Sequence, residues 1–380
     1  MNKQAATLRH ALHQHPAKLV FVSAGAGTQA LSDLRHAASA SGTLLEAIVP
    51  DSQASFIDFL GQTPAQFVAE ETACLLAGRA YTRARWLHPG EEPVIGLAGT
   101  ATIATDPAKR GKHRAFAAAW HPKKLLCQSL ILNKEARTRA EAEAAVSTLI
   151  LNTLATAVNG EGQLEIPLKS GEQITETRQD FEKRVDDLLA GNTSFFNIAD
   201  NGRYHPNTLP KLLFSGSFNP LHDGHLALAA EAAALLKQPT AFELSATNAD
   251  KPPLPKQTLL NRLAQFAGRH PIYVSTAPTF IEKSRIYPGV TFVVGFDTAQ
   301  RILQPRFYQN SNALLLQSLS KIKQRGCTFL VAGRVDENGR YGQVADLPIP
   351  LDFHDLFKPL PFRMDISSTD LRSQNQKGSR

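Results

Sequence analysis

The sequence predicts an α/β protein in two parts, the second built on a doubly wound parallel sheet. Three observations point there. From residue 211 onward, short apolar runs alternate with helical stretches. That rhythm implies parallel strands joined by crossover helices. The turn Gly216-Ser217-Phe218-Asn219-Pro220-Leu221-His222-Asp223-Gly224-His225 falls between the first such strand and its helix. Doubly wound sheets bind their ligands at turns of this kind. Finally, the chain has 380 residues, more than the roughly 250–300 at which a single core stops growing.

In the first part, residues 1–160, Lys18–Ser23 and Leu44–Val49 read as strands. Pro64–Arg83 reads as a helix with Glu70 and Glu71 on its polar face. Pro93–Ala98 reads as a strand, and His113–Trp120 as its hairpin or crossover partner. Ala136–Val158 reads as a long helix with Leu149, Leu151 and Leu154 on its apolar side. Residues 161–210 are richer in Gly, Asn, Asp and Glu and read as a connection. They hold a polar helical stretch, Glu172–Leu189, and then the turn-rich run Gly191–Pro210. In residues 211–380 the expected strands are Leu212–Phe214, Ala241–Leu244, Ile272–Ser275, Thr291–Val294 and Thr328–Ala332. The expected helices are Leu226–Leu236, Lys256–Gly268 and Leu314–Arg325.

Composition narrows the class. A hydrophobic fraction of 43% argues against wholesale disorder. No apolar run approaches the ~20 residues that span a bilayer, so no membrane partner is expected. Cys74, Cys127 and Cys327 are far apart. They fit reduced thiols in a cytoplasmic or nuclear protein better than a disulfide framework or zinc site. The net charge of +7 suits phosphorylated ligands. Lys and Arg are dispersed, so nucleic acid is a minor expectation. A homo-oligomer is left open.

The chemistry concentrates at the Gly216–His225 turn. Glycines let backbone approach an anion closely. The following helix offers free N–H groups and the positive end of its dipole. His222 and His225 can donate hydrogen bonds to phosphate oxygens. Alone, a His-x-Gly-His turn is more often a pair of solvated histidines.

The turn resembles the HxGH signature of the nucleotidylyltransferase superfamily. A second stretch, Ile366-Ser367-Ser368-Thr369-Asp370-Leu371-Arg372, resembles the superfamily's ISSTxxR signature and follows in the family's order. Between them, Phe292–Thr298 with Gly295 and Asp297 resembles the strand-end GxD of nicotinate and nicotinamide mononucleotide adenylyltransferases. Asn248-Ala249-Asp250-Lys251-Pro252-Pro253 stands where those enzymes often carry a lysine-containing substrate loop. Class I aminoacyl-tRNA synthetases share the first signature, but the place of their lysine-rich loop is taken here by Ile366–Arg372.

The resemblance implies a Rossmann-like nucleotidylyltransferase fold and a set of roles. His222, His225 and Arg372 would neutralise charge on the reacting phosphates. Gly216, Ser217, Phe218, Gly224, Ser367, Ser368, Thr369, Gly295 and Asp297 would contact the nucleotide. Lys251 and Asn248 would contact the acceptor. Mg²⁺ would arrive with ATP, with no protein metal site. Plainer readings stand beside these: Ser367–Thr369 as an ordinary helix cap, Asp297 as the cap of the next helix, Lys251 as a surface residue.

Residues 18–120 resemble, more faintly, the C-terminal domain of the CinA family, whose members include nicotinamide mononucleotide deamidases. The resemblance rests on Ser23-Ala24-Gly25-Ala26-Gly27, the helix over Val68–Arg83, and Val94–Thr102. The family's cysteine and glutamate are absent from Ser23–Gly27, and its reactive lysine has no equivalent in Val49–Phe56, which implies a degenerate domain. The two resemblances converge on nicotinamide mononucleotide as the acceptor and ATP as the donor. The alternatives are cytidylyl or adenylyl transfer to another phosphomonoester, and a nucleotide-binding regulatory protein with little activity.

Overall fold

The computed structural model describes residues 15–35, 43–90, 92–104, 111–158, 163–206, 208–247, 252–335 and 340–364. The chain divides into two compact units, neither a continuous stretch. The first comprises Met1–Arg184, Ile198–Tyr204 and Ala264–His270, and the second Val185–Asn197, His205–Leu263 and Pro271–Arg380.

The first unit carries a six-stranded mixed sheet. Its strands are β1 (Lys18–Ala24), β2 (Leu44–Ile48), β3 (Val94–Thr102), β4 (His113–His121), β5 (Lys124–Leu132) and β6 (Gln173–Asp180), in the order β2-β1-β3-β4-β5-β6. β1 is parallel to both β2 and β3. The ladders from β3 through β6 are antiparallel, so β4 is the hairpin partner of β3. Among the described residues, four helices accompany the sheet: α1 (Gln29–Arg35), α2 (Gln53–Leu60), α3 (Glu70–Leu87) and α4 (Arg139–Ala157). α3 packs backbone-close on β3: a Cβ on Gly96 would strike the Ala77 carbonyl and the Tyr81 backbone. Ala117, Ala119, Leu97, Ile150 and Leu154 belong to the core of this unit.

Four expectations are corrected here. The helix expected from Pro64 begins at Glu70. Its two glutamates sit in the first turn, where the helix dipole favours acidic residues. Glu172–Leu189 is not one helix but β6 followed by α5 (Phe181–Leu189). β6 is exposed along almost its whole length, so burial leaves no period-two pattern in it. Its backbone is satisfied by β5 through pairs such as Leu130 with Ile174 and Cys127 with Thr177. Residues 161–210 therefore contain a sheet strand and are not simply a connection. The expected long helix begins at Arg139, where Thr138 and Glu141 form a capping box.

The other sheet has eight strands: β7 (Phe195–Ile198), β8 (Leu212–Ser215), β9 (Thr240–Ser245), β10 (Ile272–Ser275), β11 (Thr291–Gly295), β12 (Thr328–Val335), β13 (Tyr341–Gly342) and β14 (Phe357–Met364). Its helices are α6 (Asp223–Leu236), α7 (Lys256–Leu263), α8 (Phe280–Ile286), α9 (Phe296–Ile302) and α10 (Asn312–Gln324). The centre runs β10-β9-β8-β11-β12, and every one of these neighbours is parallel. The chain builds outward from β8 to β10, returns to the other side of β8 at β11, and continues to β12. The order reverses between β8 and β11, which makes that the switch point of a doubly wound sheet. Leu213, Phe292, Val294, Phe329 and Val331 belong to this core.

The helix expected over Lys256–Gly268 stops at Leu263, followed by a 3₁₀ turn, Ala264–Phe266. Gly268 lies at φ +68°, in the left-handed region. Among the described residues, no helix is long and apolar enough to cross a membrane.

Candidate functional site

The site grows from the end of β8. Ser215 pairs with Glu243 of β9, and the next backbone N–H, on Gly216, donates to the Glu243 carbonyl at 3.0 Å. The chain then leaves the sheet. A Cβ on Gly216 would lie 2.7 Å from the Phe218 ring, so the ring folds back over the space that a side chain would fill. Phe218 takes φ +42° and is followed by a cis Asn219–Pro220 bond. Arg262 of α7 donates to the Ser217 carbonyl at 3.0 Å and ties the loop to that helix.

α6 starts directly after the turn, with His222 as its N-cap in an extended conformation and Asp223 in its first turn. The two histidines are three apart, so one helical turn brings them together. Their rings stack with centroids 3.6 Å apart and planes inclined at 29°. The His222 backbone N–H donates to Nδ1 of His225 at 3.3 Å. A ring nitrogen that accepts carries no proton, so neutral His225 keeps its proton on Nε2. Beneath the pair lie Phe214 and Phe218, at 5.8 and 5.2 Å from the His225 ring centre. Burial in this aromatic bed, and then the charge of His222, pushes the His225 pKa down to about 4. Burial also lowers His222, with Asp223 pulling the other way. Both rings are thus neutral donors near pH 7.

Across the switch point, β11 ends at Gly295 and α9 begins. Gly295 has an ordinary φ of −78°, and among the described residues nothing lies within 4 Å of a Cβ placed there. Neither the backbone conformation nor packing among the described residues requires glycine at this position. Asp297, in the first turn of α9, is ion-paired to Arg334 near the end of β12. In this structure Asp297 therefore answers a protein cation, not open space. Arg334 escaped sequence reading because nothing local marks it. Only the β11–β12 pairing brings it beside Asp297.

The structure thus places Gly216, Ser217, Phe218, His222, Gly224 and His225 on one turn, and Gly295 and Asp297 at the end of the neighbouring central strand. Asn248, Lys251, Ser367, Ser368, Thr369 and Arg372 lie outside the described residues. Among the described residues no cluster of three or more His, Cys, Asp or Glu could hold a metal ion. Cys74, Cys127 and Cys327 are buried and free.

The Ser23–Gly27 turn of the first unit is filled from within. Both Glu143 carboxylate oxygens accept from the Gly27 N–H at 3.0 Å. One of them also takes the Thr28 hydroxyl at 3.2 Å and the Gln29 N–H at 3.3 Å. Ser23 Oγ turns inward to the Ala26 carbonyl at 2.9 Å. The N–H groups that would greet a ligand anion already hold a carboxylate of α4.

Comparisons with known proteins divide along the chain. No curated protein sequence matches it significantly. Among solved structures, a competence-damaged protein (CinA) superfamily member of Escherichia coli is 14% identical, with a TM-score of 0.31, over 40% of this chain and 88% of its own. The competence/damage-inducible protein CihA of Agrobacterium tumefaciens is 16% identical, with a TM-score of 0.31, over 42% of this chain and 97% of its own. A CinA superfamily protein of Klebsiella pneumoniae is 13% identical, with a TM-score of 0.29, over 42% and 97%. At such identities and scores the likeness carries nothing about activity. The family match is elsewhere, on the stretch that begins in β8 and bears the histidine turn. Residues 213–374 match the cytidylyltransferase-like family of the nucleotidylyltransferase superfamily, a match that supports nucleotidylyltransferase activity.

Proposed function

We propose that this chain adenylates nicotinamide mononucleotide with ATP, giving NAD and pyrophosphate. The observation that carries the reading is the stacked His222/His225 pair at the N-terminus of α6, where the strand order reverses. A triphosphate laid along this edge would meet the α6 N–H groups and two imidazole donors. The family match supports nucleotidyl transfer in general. The pyridine nucleotide is inferred from the strand-end Gly295–Asp297 resemblance and the CinA-like sequence features of the first part.

The chemistry asks little of a base. The acceptor phosphate is already anionic and attacks the α-phosphorus of ATP. A new P–O bond forms there, the α–β bridging bond breaks, and pyrophosphate leaves with the electron pair. What the protein must supply is alignment and neutralisation of the charge that shifts to the bridging oxygen. His225, with its proton on Nε2, and His222 are suited to donate to the α- and β-phosphate oxygens. Gly295, with none of the described residues within 4 Å of a Cβ placed there, would admit the nucleotide. Mg²⁺, when bound with ATP, screens the triphosphate. With no carboxylate cluster among the described residues, it would be held chiefly by phosphate oxygens and water, as Mg²⁺ commonly is.

The test is pyrophosphate release from purified protein with Mg²⁺, ATP or CTP, and a panel of phosphomonoesters. The reading expects turnover with ATP and nicotinamide mononucleotide. Turnover with CTP alone would replace it by cytidylyl transfer. Nucleotide binding without turnover for any pair would leave a regulatory protein.

A further inference from the structure

The first unit contains a cavity of about 340 Å³, within the range of small-molecule sites. It lies where β1 is entered after His15, β4 turns into β5, α4 ends, and β6 finishes at Asp180. The Ser23–Gly27 turn follows the opposite end of β1.

Its two histidines are held in one tautomer. The Ala17 backbone N–H donates to Nδ1 of His15 at 3.1 Å. The Lys123 backbone N–H donates to Nδ1 of His121 at 3.2 Å. Each neutral ring therefore keeps its proton on Nε2 and offers one N–H donor. Lys123, Lys124 and Arg178 also line the cavity, against the carboxylates of Asp180 and Glu182. Glu182 is taken by Lys123 at 3.1 Å, and Arg178 touches Glu176 at 2.5 Å. Burial first, and then the charges of Lys124, Lys123 and His15, hold His121 at about 4, while Glu182 opposes them. Burial and Arg178 lower Lys124, and Asp180 opposes them. The C-terminal end of α4 adds a negative field smaller than one full charge. Among the described residues that line the cavity, cations and N–H donors outweigh the acids.

We propose that this cavity binds the phosphate group of a small molecule, at a site separate from the His222/His225 turn. Phosphate suits it because its oxygens can accept from two fixed imidazole N–H groups and from lysine ammonium groups together, each a charge-assisted hydrogen bond. The proposal does not rest on the catalytic reading.

The test follows the His15 and His121 ring proton signals by NMR in the full chain carrying His225→Ala, which weakens phosphate binding at the turn. Inorganic phosphate and AMP are titrated separately to about 10 mM, where binding as weak as a Kd of about 1 mM saturates. Saturable shifts at both histidines are expected. Equal affinity for the two probes places recognition in the phosphate alone, and tighter AMP binding assigns the remaining volume to the organic portion. Lys124→Met should weaken binding about tenfold or more. Arg178→Gln, at an exposed side chain, gives a second reading should Lys124→Met fail to fold. Shifts that do not saturate with either probe, or unchanged affinity in a folded variant, would overturn the site.

Discussion

Glu243 holds the Gly216 turn with its backbone and a buried lysine with its side chain. Its carbonyl accepts from the Gly216 N–H, while its carboxylate pairs with Lys283 of α8 and accepts from the Ser275 hydroxyl at 2.6 Å. The carboxylate and the ammonium are both shut from solvent. The strand that anchors the histidine turn is thus fixed by a charge pair in the interior.

Removing one partner of such a pair leaves a charge stranded. Lys283→Met should destabilise the protein by about 3–5 kcal/mol, and adding Glu243→Gln should restore a large part of that. Urea denaturation of the single and double variants measures both. Equal stability of the single variant and the wild type would show that the pair contributes nothing.

His225→Ala should lower kcat by about 10²–10³-fold, the scale of losing one preorganised donor to a developing charge. His225 is a neutral donor near pH 7, so His225→Asn should retain more activity than His225→Ala. Steady-state rates of pyrophosphate release check this. An unchanged kcat in His225→Ala would remove the ring from the reaction.

A substitution at Gly295 should separate binding from folding. Because a side chain there meets none of the described residues within 4 Å and φ is ordinary, Gly295→Leu should change stability by no more than about 0.5 kcal/mol. The same change should raise the nucleotide KM by about tenfold or more, equivalent to about 1.4 kcal/mol of lost binding. Thermal melts and KM together decide it. A large loss of stability with unaltered KM would mean that the space is structural.

Stability should fall on the acid side. His121, His225 and His270 are each held at about 4, chiefly by burial, against 6.5 when unfolded. Between those values the unfolded chain binds protons that the folded chain refuses. Stability is therefore full above pH 6.5 and declines as pH drops toward 4. Glu172, drawn down to about 2 by hydrogen bonds from Arg137, adds a loss of the same sign below 4.5. Urea midpoints across this range should fall, and less steeply in His270→Gln. A midpoint independent of pH between 6.5 and 4 would contradict the burial of these rings.

What was legible in the sequence follows from where the side chains go. Ile272–Ser275 and Thr291–Gly295 are buried on both faces, so they read as unbroken apolar runs between turns. The histidine turn was legible because its glycines and histidines are local. β6 was not legible, since Gln173–Asp180 is polar, exposed and stabilised by its ladder. Its β-branched Ile174, Thr175 and Thr177 were the signal that counted against a helix. Arg334 and the Glu243–Lys283 pair were invisible for a different reason: each depends on a partner that only the fold supplies. Glu143 reaching Gly27 is the same case across α4.

Three separated stretches of chain make up the first unit, and the last of them is Ala264–His270. Gly78 of α3 and Gly268 of that stretch meet so closely that a Cβ on Gly78 would lie 2.6 Å from the Gly268 Cα. During synthesis the first unit therefore waits. Its sheet strands are complete once residue 180 has emerged, but the piece that docks at Gly78 arrives only after β8, the histidine turn and α7 have been made. The first unit is not complete until residue 270 has been made, and no single cut would release it whole.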